Sequence, residues 1–170
     1  MVGELTTGKK TYAQYEDEIQ QLLAESRSLT EVMKESVQKD MEAFKPLSVA
    51  YKMPNSTDEE KEAKNKAVQE SLEAAASAPL ELAENCVKAL KLLDRYSEIG
   101  SRLAVSDAGT GALMCLAALK GARLNVLTNT RMMEDGSLRE KLDTRLSTAV
   151  SEGERIARTT YARAEKIMIG

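Results

Sequence analysis

The sequence predicts an all-α helical bundle with two long amphipathic helices, and three observations carry that expectation. Apolar residues recur at helical spacing over most of the chain. Capping signals, prolines and glycines punctuate that pattern at intervals of a helix length. Only "LAVS" (103–106) and "LNVLTNT" (124–130) have a β-branched flavour, and each is too short to found a sheet. With 170 residues the chain is sized for one domain, 1–170, with a real core.

From Tyr12 to Phe44 the apolar residues Tyr15, Ile19, Leu22, Leu29, Met33, Val37, Met41 and Phe44 keep one stripe on a helix, which Pro46 is expected to stop. Within "PNSTDEEKEA" (54–63), Thr57 and Glu60 have the spacing of a capping box, and the acidic first turn suits the positive end of the helix dipole. The helix that follows runs through Ala76. Pro79 is expected to begin or kink another, "PLELAENCVKALKLLDRYSEIG", ended by Gly100 as a C′ glycine. Ser137 and Glu140 repeat the capping-box spacing after the turn "EDG" (134–136). The last helix carries a stripe from Leu138 through Leu142, Leu146, Val150, Gly153, Ala157, Thr160 and Ala164 to Ile167.

Two such helices in a chain with one Phe and no Trp would make a thin monomeric core. The stripe over 138–168 is longer than a compact monomer covers, which predicts a homodimer or higher homo-oligomer.

Composition removes whole classes of function. A charged fraction of 30%, a net charge of −3 and a pI near 5.3 without a polybasic block argue against nucleic acid and membrane partners. The longest uncharged run, Ala108 to Leu119, is shorter than the roughly 20 apolar residues of a membrane span, and no signal peptide precedes it, so a cytoplasmic protein is expected. The absence of histidine excludes Ser-His and Cys-His nucleophile pairs and imidazole zinc sites. Cys86 and Cys115, in apolar helical surroundings with no close-spaced motif, read as buried reduced thiols. Proton transfer is left to Asp, Glu, Lys, Tyr or Cys.

The stretch "AVSDAGTGALMCLAALKGARLNV" (104–126) carries Gly109, Gly111 and Gly121, although glycine costs a helix about 1 kcal/mol against alanine. Glycines there suit close approach, by another helix or by a flat ligand. Ser106 and Asp107 at its head read as a helix cap with an acidic first turn, or as a polar group offered to that ligand. Asn125 and Asn129, four apart, fall on one side and either pin the turn or bond a heterocycle. Asp40 stands on the stripe Met33, Val37, Phe44, either as a flanking solvated carboxylate or as one that burial would turn into a general acid. "TTGKKTY" (6–12) offers Lys9, Lys10 and Tyr12, a wet surface or a holder for an anionic tail.

"GSRLAVSDAGTGALMCLAALKGARLNVLTNT" (100–130), with "LTTGKKTY" (5–12), "AYKMP" (50–54) and "AAASAPLELAE" (74–84), resembles the family of formiminotetrahydrofolate cyclodeaminases and methenyltetrahydrofolate cyclohydrolases across essentially the whole chain. The resemblance implies an all-helical dimer with a tetrahydrofolate derivative as substrate, bound near the subunit interface, and neither metal nor redox cofactor. It implies Asp107 next to the reacting atoms, Asp40 as second acid/base and Lys10 as proton donor or guide for the glutamate tail. Lys9, Tyr12, Ser106, Gly109, Gly111, Asn125 and Asn129 would line the substrate, the two glycines admitting the flat ring. Family members commonly carry a glycine-rich segment ahead of the "MV..LT.GKK.Y" pattern, whereas Met1 already sits at it here. Ser101, where bifunctional cyclodeaminases resemble "GN", makes "GSRLA.SD" more like the stand-alone cyclohydrolases. Hydrolysis of 5,10-methenyltetrahydrofolate is therefore the expected reaction. Ammonia elimination from 5-formiminotetrahydrofolate and a non-catalytic folate-binding subunit are the alternatives.

Overall fold

The computed structural model describes residues 1–170 and holds four long helices and no strand: α1 (Glu16–Tyr51), α2 (Asp58–Ile99), α3 (Val105–Thr130) and α4 (Gly136–Ile169). Short 3-10 turns, Lys10–Tyr15 and Arg102–Ala104, lead into α1 and α3. Each connection is short, so consecutive helices run antiparallel, and α1 and α3 point the same way. α2 packs against all three others, and α3 and α4 pack against each other. One end holds the N-terminal segment, the close of α2, the start of α3 and the close of α4. The opposite end gathers the close of α1 and α3 with the starts of α2 and α4.

The all-α prediction holds, with four long helices where the sequence pattern suggested two. Two of the three prolines lie inside helices: Pro46 in α1 and Pro79 in α2. An interior proline forfeits a hydrogen bond and costs about 3 kcal/mol or more. Beyond Pro46, Leu47 and Ala50 are buried; beyond Pro79, Leu80 and Ala83 are buried. Burial of these following turns outweighs the local penalty, as tertiary packing overrides propensity. The same reason makes "LAVS" and "LNVLTNT" helical: Val105 and Val126 are buried on α3.

The capping box at α2 is present: Thr57 Oγ1 accepts from the Glu60 N–H, and the Glu60 carboxylate accepts from the Thr57 N–H, both at 3.2 Å. The box expected at Ser137 is not. Asp135 caps α4 instead, its Oδ1 accepting from the N–H groups of Ser137 (2.9 Å) and Leu138 (3.0 Å). Gly100 ends α2 in extended backbone (φ −79°, ψ 173°), not in the left-handed form of a C′ glycine. Glycine is required there by space, since a Cβ would strike the Tyr96 carbonyl oxygen and lie 2.7 Å from Val2 Cγ1.

The larger core, built around Leu72, Leu80, Leu90, Leu119, Leu146 and Ala157, fills the space between α2, α3 and α4 and reaches the end of α1. A smaller one, including Val2, Ile19, Leu23, Tyr96 and Ala108, ties the N-terminal segment to the start of α3. Much of the apolar stripe read on α1 stays outside both. Ile19 and Leu22 are buried, yet Val37, Met41 and Phe44 are exposed. By length and composition Arg102–Thr130 is apolar enough to cross a membrane, at a mean hydropathy of 1.3, which the short uncharged run alone did not suggest. Only 33% of that apolar window is buried inside the chain.

Candidate functional site

The sequence candidates separate into two groups at opposite ends of α3. At its start, the segment 1–15 folds over the helix. The Thr6 hydroxyl donates to the Val2 carbonyl (2.6 Å) and accepts from the Ser101 N–H (2.8 Å), and both Thr6 and Ser101 are buried. Tyr12 Oη accepts from the Arg102 N–H at 3.1 Å. Gly8, at φ +73°, turns the chain so that its N–H donates to Glu16 Oε2 at 2.8 Å, while Thr7 donates to the other carboxylate oxygen. Gln20, Thr7 and Gly8, in that order of effect, hold the Glu16 carboxyl below its ordinary range. "TTGKKTY" is thus a folded clasp that brings Tyr12 to the entrance of α3 and leaves Lys9 and Lys10 exposed beside it.

Ser106 is not the cap that "SD" suggested. Ala104 occupies the N-cap position, because the preceding 3-10 turn already carries the chain into the helix, and Ser106 and Asp107 fall in the first turn. Asp107 is half-buried, and neither of its oxygens is engaged in a hydrogen bond or ion pair within the chain. A partly desolvated carboxylate with unspent acceptors is chemically available to a proton or a cationic ligand.

At the other end, Asp40 and Phe44 of α1, Ala75 and Pro79 of α2, and Asn125, Thr128 and Asn129 of α3 line one cleft of about 230 Å³. Three sequence candidates, Asp40, Asn125 and Asn129, therefore meet. Their chemistry differs from the expectation. Asp40 is exposed, because its neighbours on the α1 stripe are open rather than buried. Asn129 is buried, and its amide nitrogen donates to the Ala75 carbonyl at 2.9 Å and to the Asn125 carbonyl at 3.1 Å.

Pro79 explains the first of these bonds. In a helix the carbonyl of residue 75 would accept from the N–H of residue 79, and proline has none. Asn129 satisfies the orphaned oxygen across the helix interface. That role was not legible in the sequence, although Pro79 with a downstream Asn is the signal that carries it. Asn125 is exposed and its side chain is unengaged, so it is the amide offered to the cleft.

The glycines answer a packing need. A Cβ on Gly109 would lie 2.9 Å from Ala164 Cβ of α4, and one on Gly111 would meet Leu93 Cδ2 of α2 at 3.1 Å. Their bare surfaces are covered by neighbouring helices within this chain, where the resemblance implied a flat ring. Gly121 alone of the three has nothing within 4 Å. The thiols take no visible part: Cys86 is buried and its pKa is pushed up to about 11, first by burial and then by Cys115.

Asp107 and Asn125 are 18 positions apart on one helix, about 27 Å at 1.5 Å per residue. A single chain therefore does not bring Asp107 to the cleft that holds Asp40, Asn125 and Asn129.

Comparison with known proteins gives a consistent picture. Residues 1–148 match the family model described as formiminotransferase-cyclodeaminase. The chain is 34% identical over 167 residues to the methenyltetrahydrofolate cyclohydrolase of Methylorubrum extorquens, covering 96% of this chain and 80% of that protein. It is 29% identical over 152 residues to the formimidoyltransferase-cyclodeaminase of Rattus norvegicus, covering 89% of this chain but 28% of the much longer relative. In three dimensions it matches the crystal structure of formiminotetrahydrofolate cyclodeaminase from Thermotoga maritima with a TM-score of 0.87 at 26% identity, over 99% of this chain and 80% of that one.

Proposed function

Because the chain belongs to the formiminotransferase-cyclodeaminase family, we propose that it hydrolyses 5,10-methenyltetrahydrofolate to 10-formyltetrahydrofolate. The observation that carries this reading is the 34% identity to a methenyltetrahydrofolate cyclohydrolase over 96% of the chain. Ser101 in "GSRLA.SD" supports it.

In this reaction water adds to the amidinium carbon between N5 and N10 and gives up a proton. The tetrahedral adduct then gives up its hydroxyl proton as the carbonyl forms and the C–N5 bond breaks, N5 takes up a proton, and the formyl group stays on N10, with one proton released overall. The carbon is already cationic, so the protein's work is to take the proton from water and return one to nitrogen, each worth about 10²–10⁴-fold. Asp107 is the base of this reading, since its carboxylate is half-buried and unspent within the chain. The same negative charge attracts the cationic ring. Lys9 and Lys10, exposed on the N-terminal clasp, are read as holding the glutamate tail, with Lys10 as the group that returns the proton, and Tyr12 and Ser106 border the entrance of α3. Asn125 offers its amide to the pterin, Asp40 is a second acid/base group at the cleft, and Asn129 holds the cleft's wall. The active form of this reading is a homodimer or higher homo-oligomer in the cytoplasm, with no metal or redox cofactor.

The structural match to a cyclodeaminase favours a second reading, in which N10 attacks the formimino carbon of 5-formiminotetrahydrofolate and ammonia leaves. One experiment separates the two. The purified chain is given each substrate, with methenyl absorbance followed for the first and ammonia release for the second. The cyclohydrolase reading expects loss of methenyl absorbance well above buffer hydrolysis and no comparable ammonia release. The reverse pattern overturns it.

A further inference from the structure

We infer that a second cavity, between α1 and α2, is a binding site for an aliphatic monocarboxylate, separate from the Asp40 cleft. It has a volume of about 490 Å³, inside the range of small-molecule sites, against about 230 Å³ for the cleft. Its apolar walls are Leu22, Leu29 and Val32 of α1 and Leu92 of α2, with no aromatic ring among them. No residue that lines it also lines the Asp40 cleft.

One polar side chain is sunk into this surface. Asn85 is only 7% exposed, among the buried apolar residues Ala83, Cys86 and Val87. Its Oδ1 accepts from Lys88 Nζ at 2.9 Å. An ammonium can only donate, so this contact fixes the orientation of the amide and makes its NH2 the free group. No bond within the chain uses that nitrogen. Every fully buried polar side-chain atom of the chain is bonded, so the unbonded nitrogen reaches the cavity that Asn85 lines.

Lys88 supplies the second donor. No carboxylate lies within ion-pair distance of it, whereas Lys91, one turn on, pairs with Glu152 at 2.8 Å. One unneutralised positive charge beside one free amide matches the single charge and two oxygens of a carboxylate. A phosphate monoester, with nearly two charges and three acceptor oxygens, asks for more than this pair supplies.

The register of the two helices orients the ligand. Asp40 and Phe44 share a cleft with Ala75 and Pro79, and nearer the other end Arg95 donates to Glu18 at 2.8 Å. Between these contacts the antiparallel helices set Val32 near the level of Asn85, Leu29 near Lys88 and Leu22 near Leu92. The head group therefore sits at the Asn85 and Lys88 end, and the alkyl chain runs toward Leu22 and Leu92. Seven positions separate Asn85 from Leu92, about 10 Å along the helix. Glu25, the only carboxylate lining the cavity, falls by the same register near Lys91, away from the head group. The site is independent of the folate reading, since it shares neither residues nor chemistry with it.

Calorimetric titration of the whole chain with sodium octanoate tests it. One molecule should bind per chain, with affinity rising about two- to fourfold per methylene from butanoate to octanoate. Octylamine, the same tail with the opposite charge, should not compete. Asn85→Asp keeps the side chain's size and its bond to Lys88 but sets a negative charge against the ligand, and Lys88→Met removes the cation. Each should weaken octanoate about tenfold or more, with helical circular dichroism unchanged. Asp40→Asn, in the other cleft, should bind octanoate as the wild type does. The inference is overturned by no saturable binding below about 1 mM octanoate, unchanged affinity in either the Asn85 or the Lys88 variant, competition by octylamine, or loss of binding in Asp40→Asn. None of these readouts involves a folate, so their failure leaves the cyclohydrolase reading standing, and absence of turnover leaves this site standing.

Discussion

Asn129 and Pro79 show how a residue type acquires its purpose from a neighbour on another helix. The Ala75 carbonyl loses its helical donor to Pro79 and gains the Asn129 amide instead. Asn129→Ala leaves that buried oxygen unpaired and should cost about 1–3 kcal/mol, read as a lower denaturant midpoint with an unchanged slope. In the background of Pro79→Ala, which returns the helical N–H, the same substitution should cost distinctly less. Additive losses in this double-mutant cycle would show that the two residues do not serve one bond. Asp107 is the opposite case. Its side chain bonds nothing inside the chain, so Asp107→Asn should leave the melting temperature within a degree or two while removing the proposed base. A large loss of stability in Asp107→Asn would instead make it a structural residue.

At the scale of the element, the N-terminal clasp is anchored to α3 through Thr6 and Tyr12, and its turn at Gly8 is closed by one carboxylate, Glu16. Glu16 is stabilised in its charged form by Gln20, Thr7 and Gly8, so its pKa is depressed on folding. That contribution is fully present above the ordinary carboxylate value and is lost as pH falls through the depressed one. Amide exchange in the segment 3–15, at exchange rates corrected for pH, should accelerate in acid, and Glu16→Gln should show the accelerated behaviour already at neutral pH. Equal protection in Glu16→Gln and the parent would detach the clasp from this carboxylate. The elements themselves were legible in the sequence wherever the signal was local: the α1 and α4 stripes, the Thr57–Glu60 box, and the absence of a sheet. Pro46 and Pro79 misled because a proline reports a local cost, whereas burial of Leu47, Ala50, Leu80 and Ala83 is a tertiary gain that no window reveals. Of the candidate site the sequence showed residue types, not their arrangement. Asp40, Asn125 and Asn129 do share a cleft, yet Asn129 proves to bond a backbone carbonyl, Asp40 is exposed, and Asp107 lies at the far end of α3.

The whole molecule is a bundle whose exposed large apolar side chains are most numerous on α1 (Val32, Val37, Met41, Phe44, Val49 and Tyr51), with others on α3 (Leu113, Met114 and Leu124) and α4 (Tyr161, Met168 and Ile169). The sequence pattern expected that excess on the long α4 stripe, whereas most of it lies on α1. The homo-oligomer proposed for the active form would link association to folding by mass action, so the melting temperature should rise with protein concentration over a range from about 1 to 100 µM. A concentration-independent melting temperature in the wild type would place all of the stability within one chain.

The most direct test of the proposed chemistry is the rate at which purified protein bleaches methenyltetrahydrofolate, with buffer hydrolysis subtracted, compared between the wild type and Asp107→Asn. The account expects turnover in the wild type and a fall of about 10²–10⁴-fold in the variant, with helical content and folate binding retained. Equal rates in the two proteins would remove Asp107 from the reaction, and bleaching no faster than buffer in the wild type would contradict the cyclohydrolase itself.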